Sequence, residues 1–215
     1  MFSLLKNWVF RFNYWTKNLS LYVRYPKLIL IELTLFYFYQ LYYSAGRRAF
    51  EVNEIAKPRA ELMPGSTPLA NLIPILSKIR NMHHRTFIDL GCGRGLLAMS
   101  IATVFKGTVI GIDLVPTYVR VANRLVNREK IPNISFNEGD FLLADLSKGD
   151  IFYATLTCLE ENTILLLAQK LALIRRTILV ITASAPLPPE YFKVVKTYPG
   201  YFSWGKGVLY IHKKR

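Results

Sequence analysis

A glycine-rich turn between an apolar run and a helical pattern constrains this chain more than any other feature. Phe87–Leu90 predicts a short buried strand, Leu96–Ala102 predicts the start of a helix, and Gly91–Gly95 joins them with three glycines. Such a turn lets a ligand approach the backbone closely, and the helix start offers unpaired N–H groups. A nucleotide-like ligand is therefore expected at this junction.

The spacing of the glycines narrows the class of ligand. The pattern is G-x-G-x-G, at Gly91, Gly93 and Gly95, whereas a dinucleotide pyrophosphate is seated by G-x-G-x-x-G. An acid, Asp89, also stands inside the strand, where a pyrophosphate has no use for a carboxylate. A ligand that carries an ammonium group could pair with it. A nicotinamide-dependent enzyme is thus disfavoured, although it stays an alternative.

Two further acids follow the next two strand candidates. Asp113 ends the run Val109–Asp113, where a carboxylate can accept hydrogen bonds from ribose hydroxyls. Asp140 follows a third strand candidate and is placed to hold the exocyclic amine of a purine, with Phe141 or Leu142 packed on the ring. Both acids could instead be ordinary turn residues at strand ends.

From residue 67 onward, strand-like runs alternate with amphipathic stretches, which is typical of an α/β layered domain. A first helix is expected over 68–80, with Ser66 or Thr67 as its cap. The other helix candidates are Leu96–Phe105, Pro116–Lys130 and Glu160–Ile174. The strand candidates are Thr86–Leu90, Thr108–Asp113, Asn133–Asn137, Asp150–Thr155, Thr177–Thr182, Tyr191–Thr197 and Gly207–His212.

Three motifs in this order resemble those of class I, seven-strand S-adenosylmethionine (SAM)-dependent methyltransferases: Asp89–Gly95, Gly111–Asp113 and Gly139–Phe141. The resemblance covers about residues 66–215 and implies a doubly wound, Rossmann-like α/β sheet of seven strands. It also implies SAM as cofactor, with Asp89 at the methionine amino group, Asp113 at the ribose and Asp140 at the adenine amine. The implied cofactor-binding residues are Asp89, Gly91, Cys92, Gly93, Gly95, Asp113, Leu114, Asp140 and Phe141.

The acceptor side of the sequence is less specific. After the fourth strand candidate the chain has neither Asn-Pro-Pro-Tyr nor Asp-Pro-Pro-Tyr, which disfavours a base or glutamine acceptor bound through that motif. No spacing of cysteines and histidines predicts a metal site. Catalysis is expected to depend on alignment of donor and nucleophile. Tyr153, Thr155 and Thr157 are the nearest polar candidates, and Cys92 is interpreted as a space-filler, not as a nucleophile.

Residues 1–45 differ in composition from the rest of the chain. Residues 28–45 are largely apolar and would be about 27 Å long as a helix, against roughly 30 Å of bilayer hydrocarbon. Glu32 weakens a spanning interpretation, and the preceding residues mix aromatic rings with cations. We therefore predict a hydrophobic helical segment for membrane association over 1–45, as a surface anchor more than a spanning helix, and a connector over 46–65. Alternatively, these residues are helices that cover one face of the domain.

The layout also loosely resembles membrane-anchored protein-lysine methyltransferases, through the lead-in at 66–68 and the proline-rich link at 185–189. The predicted function is methyl transfer at a membrane, with the catalytic domain cytoplasmic and a protein lysine as preferred acceptor. A non-catalytic module that binds SAM or S-adenosylhomocysteine (SAH) is the alternative. The net charge of +14 is compatible with nucleic acid, anionic lipid or an acidic substrate. Nucleic acid is disfavoured as a partner because the cations are scattered and the aromatics are concentrated in the apolar segment.

Overall fold

A seven-stranded sheet forms the centre of the computed structural model, which describes residues 16–42, 67–202 and 204–215. The strand order is β3-β2-β1-β4-β5-β7-β6, with β7 antiparallel to both of its neighbours and the other pairs parallel. The predicted α/β sheet of seven strands is confirmed. The strands are β1 (Thr86–Leu90), β2 (Thr108–Asp113), β3 (Ile134–Glu138), β4 (Ile151–Thr155), β5 (Leu179–Ala183), β6 (Phe192–Phe202) and β7 (Gly205–Lys214).

Helices cover both faces of the sheet, so the fold is doubly wound. The helices are α1 (residues 16–24), α2 (Lys27–Tyr42), α3 (Leu69–Leu76), α4 (Leu96–Phe105), α5 (Pro116–Arg128) and α6 (Glu161–Ala172). Helices α2 to α5 pack in one core with Phe87 and Tyr153, whereas α6 packs in a second core with Ile88 and Phe152. Successive residues of β1 and β4 thus point into different cores, as the alternation of a strand requires.

The N-terminal helices share the first of these cores. Tyr22 of α1 and Leu28, Ile31 and Leu35 of α2 are buried together with residues of α3, α4 and α5. For residues 16–42 this corresponds to the alternative in which helices cover one face of the domain. Among the residues that the structure describes, no helix combines the length and the apolar character needed to cross a bilayer. The predicted connector and the start of the predicted membrane segment lie outside the described residues.

The predicted boundaries of three elements differ from the structure for identifiable reasons. Helix α3 ends at Leu76 instead of residue 80, soon after Pro74, which lacks the N–H that a helix interior requires. Strands β6 and β7 are longer than predicted, because β6 continues through Pro199 and Gly200. Proline is tolerated there because β6 is an edge strand.

Candidate cofactor site

The carboxyl ends of β1, β2 and β3 bring the predicted acids to one edge of the sheet. Asp89 pairs in register with Gly111 of β2, and Asp113 pairs with Glu138 of β3. The backbone N–H of Gly139 donates to the carbonyl of Asp113 at 3.0 Å, so the turn that carries Asp140 begins beside Asp113. Because these strands are parallel neighbours, residues far apart in sequence form one surface.

The glycine turn is folded back onto β2. The N–H groups of Gly91 and Cys92 both donate to the carbonyl of Ile112, at 2.9 and 3.0 Å. Gly91 and Gly93 have φ of 74° and 53°, and a Cβ built on either would meet no atom within 4 Å. The turn therefore needs the conformational freedom of glycine and leaves open space beside its backbone, as a bound cofactor would require.

Gly95 serves a different purpose from the two glycines before it. A Cβ built on Gly95 would lie 2.6 Å from the ring of Phe136, and one on Gly111 would lie 2.4 Å from the same ring. Phe136 of β3 thus fills the space that these two glycines leave. Packing against Phe136 and a φ of 77° together account for Gly95, and its predicted contact with the cofactor stays a prediction.

Asp113 organises the turn through both of its carboxylate oxygens. Oδ2 accepts a hydrogen bond from the N–H of Gly93 at 2.7 Å, and Oδ1 accepts one from the N–H of Val115 at 2.9 Å. Burial raises the pKa of this carboxyl, and the two N–H donors oppose that effect. Each carboxylate oxygen has a second acceptor position. Asp113 can therefore hold the turn and still accept a ribose hydroxyl.

Asp89 is buried, and no group among the described residues compensates its charge. Its exposed fraction is 3%, and within the described residues no hydrogen bond to its carboxylate is found. Burial, followed by the charge of Asp113, raises the pKa of Asp89 to about 7. A buried carboxylate of this kind is costly unless a cation pairs with it. The site thus fits a ligand with an ammonium group, which the methionine end of SAM provides.

The adenine side of the site is formed by the turn after β3. Oδ1 of Asp140 accepts a hydrogen bond from the N–H of Leu142 at 2.8 Å, which closes a tight turn. Phe141 is buried in the second core, while Leu142 and Leu114 are only partly buried. The predicted roles of Asp140, Phe141 and Leu114 toward adenine stay predictions. Leu142 and Leu114 have the more accessible apolar side chains.

The three candidate catalytic residues lie in two separate places. Tyr153 is buried in β4, opposite Asp89 in register, and its hydroxyl lies 3.2 Å from that of Thr155. Thr157 is exposed after the strand, and its hydroxyl lies 2.7 Å from that of Ser184. Burial raises the pKa of Tyr153, so its phenol stays protonated near neutral pH. Tyr153 is thus a neutral hydrogen-bonding group and not a phenolate base.

The structure gives the same interpretation of Cys92 as the sequence does, namely a space-filler and not a nucleophile. Its side chain is partly buried in the turn. Burial, then the charges of Asp89 and Asp113, raise the pKa of its thiol. The thiolate is the nucleophilic form, so a thiol in this setting is inert.

Sequence reasoning missed the contacts of three polar residues. Thr67 does not cap α3, since no side-chain cap bond is formed there, and its hydroxyl instead lies 2.5 Å from that of Tyr153. Asn18 of α1 accepts the hydrogen bond that caps α3. Ser184 has φ of 79°, a strained conformation for a residue with a side chain. These contacts join residues 27 to 86 positions apart, so no local pattern could have predicted them.

The fold and this edge of the sheet define a class I SAM-dependent methyltransferase. A family model described as a methyltransferase domain matches residues 82–196, and the chain belongs to this family. A ribosomal protein L11 methyltransferase from Clostridium botulinum (strain Eklund 17B) is 35% identical over 74 residues, 34% of this chain and 24% of that protein. The match with this curated relative therefore spans about a quarter of its length.

Solved structures share the fold at low sequence identity. Magnesium protoporphyrin IX methyltransferase from Synechocystis PCC 6803 with bound SAM has a TM-score of 0.59 and 15% identity, covering 85% of this chain and 97% of that one. An RNA methyltransferase from Salinibacter ruber with bound SAH has a TM-score of 0.58 and 18% identity, covering 70% and 93%.

Proposed function

We propose that this protein transfers a methyl group from SAM to a protein amine, with a lysine side chain as the preferred acceptor, while docked on an anionic membrane surface. The proposal that SAM is the methyl donor rests on the buried carboxylate of Asp89, which lies beside the open turn at Gly91 and Gly93. An ammonium group would supply the missing counter-charge, and the turn has room for a ligand against its backbone.

The chain's own residues would act mainly by binding and alignment. SAM supplies an electrophilic methyl group on a sulfonium. Asp89 would pair with the ammonium of the methionine part, Asp113 would accept hydrogen bonds from the ribose, and Asp140 would accept one from the adenine amine. The lone pair of a neutral acceptor amine would form the new C–N bond as the C–S bond breaks, SAH would be the leaving group, and the surplus proton would go to water. Alignment of this kind can lower a barrier by several kcal/mol, roughly 7–11 in favourable cases.

A protein acceptor is supported by the curated relative. That protein is named as a methyltransferase of a ribosomal protein, so its acceptor is a polypeptide. The proposal of a lysine rests on the sequence layout and needs direct testing. Labelled SAM is incubated with the chain and with membrane and soluble protein fractions, and the labelled protein is hydrolysed and analysed for methylated lysine. Binding of SAM without transfer of label to any fraction would favour the non-catalytic module.

Membrane docking is supported by the face of α2 that turns away from the domain. Leu28, Ile31 and Leu35 face the core, whereas the opposite side of the helix exposes large apolar side chains. These exposed side chains, together with two from α1, are called the outer apolar face: Leu19, Val23, Leu30, Leu33, Phe36 and Tyr37. Several large apolar side chains exposed on one side of a helix, as those of α2 are, favour an interaction site over an ordinary solvent-exposed surface.

Charge makes an anionic lipid surface the proposed occupant of the outer apolar face. Lys17 and Arg24 are exposed on α1, the helix that also carries Leu19 and Val23, and the chain as a whole carries +14. Cations close to an anionic bilayer contribute ~1 kcal/mol each. A helix that lies in the interface needs an apolar side to bury and cations to meet the headgroups. The catalytic domain would then lie on the cytoplasmic side, where SAM is made and kept.

The cofactor proposal is tested by titration calorimetry of the full chain with SAM, SAH and NAD. We expect saturable binding of SAM and SAH and none of NAD, because Asp89 occupies the place where a pyrophosphate would need a donor. Binding of NAD alone would overturn the cofactor proposal in favour of a dinucleotide enzyme.

Membrane docking is tested by co-sedimentation with vesicles of phosphatidylcholine alone and of phosphatidylcholine with phosphatidylserine. We expect binding that needs phosphatidylserine, weakens at high salt and is lost in a Leu33→Glu/Phe36→Glu variant. Leu173→Glu is the matched control, since Leu173 is also exposed but lies after α6. Equal sedimentation of both variants with the vesicles would contradict docking through the outer apolar face.

A further inference from the structure

Three hydroxyl groups form a row that begins outside the sheet and ends at the carboxyl end of β4. The hydroxyl of Thr67 lies 2.5 Å from that of Tyr153, which lies 3.2 Å from that of Thr155. Thr67 is 9% exposed and Tyr153 is 2% exposed. Tyr153 is the register partner of Asp89, and the charge of Asp89 contributes to the raised pKa of Tyr153. The row therefore lies beside the carboxylate proposed to bind the methionine amino group.

Thr67 is held in place by the helix that it precedes. Pro68 follows directly, with φ of −56°, and the first turn of α3 begins at Leu69. The N–H of Ala70 would be an unsatisfied donor of this turn, and it donates to Oδ1 of Asn18 at 2.9 Å. A side chain 52 positions away thus replaces the usual local cap. The position of Thr67 consequently depends on α1.

Asn18 is fixed in turn by a series of side-chain hydrogen bonds within the N-terminal helices. Its side chain is fully buried, and Nδ2 donates to the hydroxyl of Tyr22 at 3.3 Å. The hydroxyl of Tyr22 donates to the carboxylate of Glu32 on α2. Buried polar networks in which every member is satisfied specify one arrangement of the elements that they join. The contacts run without interruption from α2 to the first turn of α3.

We propose that Thr67 and Asn18 are positioning residues of the methyl-donor site. Thr67 keeps the hydroxyl of Tyr153 in the row beside the sulfonium end of SAM, and Asn18 keeps Thr67 there by fixing the first turn of α3. This inference rests on the proposed function. According to this inference, the N-terminal helices help the site to discriminate between SAM and its demethylated product, in addition to their proposed docking on a membrane surface.

The physical basis for that discrimination is the difference between the two ligands. SAM carries a positive sulfonium with a polarised methyl group, whereas SAH has a neutral thioether. Oxygen atoms that face the sulfur favour the charged, methylated form through electrostatic attraction and weak C–H···O contacts. Loss of the row should therefore weaken the binding of SAM more than the binding of SAH. A purely structural defect would weaken the binding of both ligands equally.

The test compares Thr67→Val, Thr67→Ser, Asn18→Ala and the control Ser77→Ala. Ser77 follows the other end of α3, where its hydroxyl donates to the carbonyl of Ile73. The dissociation constants of SAM and SAH are measured by calorimetry, and folding is followed by circular dichroism and melting temperature. We expect Thr67→Val to lower the preference for SAM over SAH by about 5- to 10-fold, which corresponds to one weak polar contact. Thr67→Ser should restore the preference and Ser77→Ala should leave it unchanged.

Asn18→Ala should lower the same preference and should be non-additive with Thr67→Val, because both changes act on one contact. An unchanged ratio of the two dissociation constants in Thr67→Val, whatever its melting temperature, would overturn the inference. If Asn18→Ala does not fold, the comparison of Thr67→Val with Thr67→Ser still tests whether the three hydroxyl groups favour SAM over SAH. A ratio lowered by Thr67→Val but additive with Asn18→Ala would overturn the role of Asn18. A parent chain that binds neither ligand would overturn the proposed function itself.

Discussion

Asp89 carries most of the chemical information at the scale of single residues. Its carboxylate is buried beside Asp113, and its pKa is raised to about 7. Proteins tolerate such a group when it serves a ligand, because a bound cation offsets the unfavourable burial. The neighbouring Asp113 differs, since two backbone N–H groups already stabilise its charge. The two acids are therefore suited to different parts of one ligand.

The raised pKa of Asp89 predicts that SAM binding depends on pH. Below about pH 7 the free protein holds a proton on Asp89, and pairing with an ammonium must expel it, so affinity falls as the pH is lowered through this value. At pH 6 we expect close to one proton to be released for each SAM bound. Calorimetry in two buffers of different ionisation enthalpy measures this number. Asp89→Asn should abolish the release, and a parent chain that releases no proton would contradict the assignment.

Substitution of Asp113 tests the ribose contact and the turn together. Asp113→Ala removes the acceptors for Gly93 and Val115 as well as the proposed ribose contact. Hydrogen bonds to a charged group are worth roughly 1.5–3 kcal/mol, so we expect SAM affinity to fall by about 10- to 150-fold. Calorimetry measures the loss, and circular dichroism checks that the fold survives. Unchanged affinity would mean that the cofactor does not contact β2.

At the scale of secondary-structure elements, one ring sets the packing around the glycine turn. Phe136 of β3 occupies the space above Gly95 and Gly111, which lie on different elements. Asn123 of α5 accepts from the N–H of Phe136 and donates to its carbonyl, so β3 is held against this helix as well. A side chain of β3 thus helps to shape the turn that follows β1, although β3 is two strands away from β1 in the sheet.

This packing predicts different outcomes for two glycine substitutions. Gly111→Ala should destabilise the fold by roughly 1–3 kcal/mol, because its Cβ would lie 2.4 Å from the ring of Phe136 and 2.9 Å from Sγ of Cys92. The loss should be smaller in a Phe136→Val background, where only the contact with Cys92 remains. Gly95→Ala should still lower the free energy of unfolding by about 1–2 kcal/mol in the Phe136→Val background, because Gly95 has a φ of 77° that alanine adopts only with strain. Urea unfolding of the single and double variants measures both. Equal rescue at the two positions would contradict the strain at Gly95.

At the scale of the whole molecule, α2 joins two environments. One side of the helix belongs to the core that also contains α4 and α5, and the other side carries the outer apolar face. The helix is apolar all round, so its sequence shows no amphipathic period. The same helix is thereby a structural part of the domain and, in the proposed function, the surface that docks on lipid.

The two sides of α2 should differ in their effect on stability. Leu28→Ala should lower the free energy of unfolding by about 2–5 kcal/mol, because Leu28 is fully buried in the core. Leu33→Ala should change it by no more than about 0.5 kcal/mol, since Leu33 is 55% exposed. Urea unfolding in the absence of lipid measures both. A small loss for both variants would mean that α2 does not stabilise the domain.

Much of the fold could be predicted because the signals are local. Strand β1, the glycine turn and α4 follow one another within 20 residues, and their boundaries match the prediction at Thr86–Leu90 and Leu96–Phe105. The hairpin β6–β7 was predicted too short because Pro199 and Gly200 normally end a strand. The tolerance of an edge position depends on the order of strands in the sheet, which no local pattern contains.

The sequence by itself determined the class of fold, the cofactor and the acids expected to bind it, because motif spacing and strand periodicity depend on neighbours in the chain. Only the tertiary structure decided that Thr67 contacts Tyr153, that Asn18 caps α3 and that α2 shares the core. Those contacts join residues far apart in the chain, and burial of a polar or apolar side chain depends on what packs against it. An apolar run such as that of α2 is equally suited to lipid and to protein, so hydrophobicity alone could not assign its two sides.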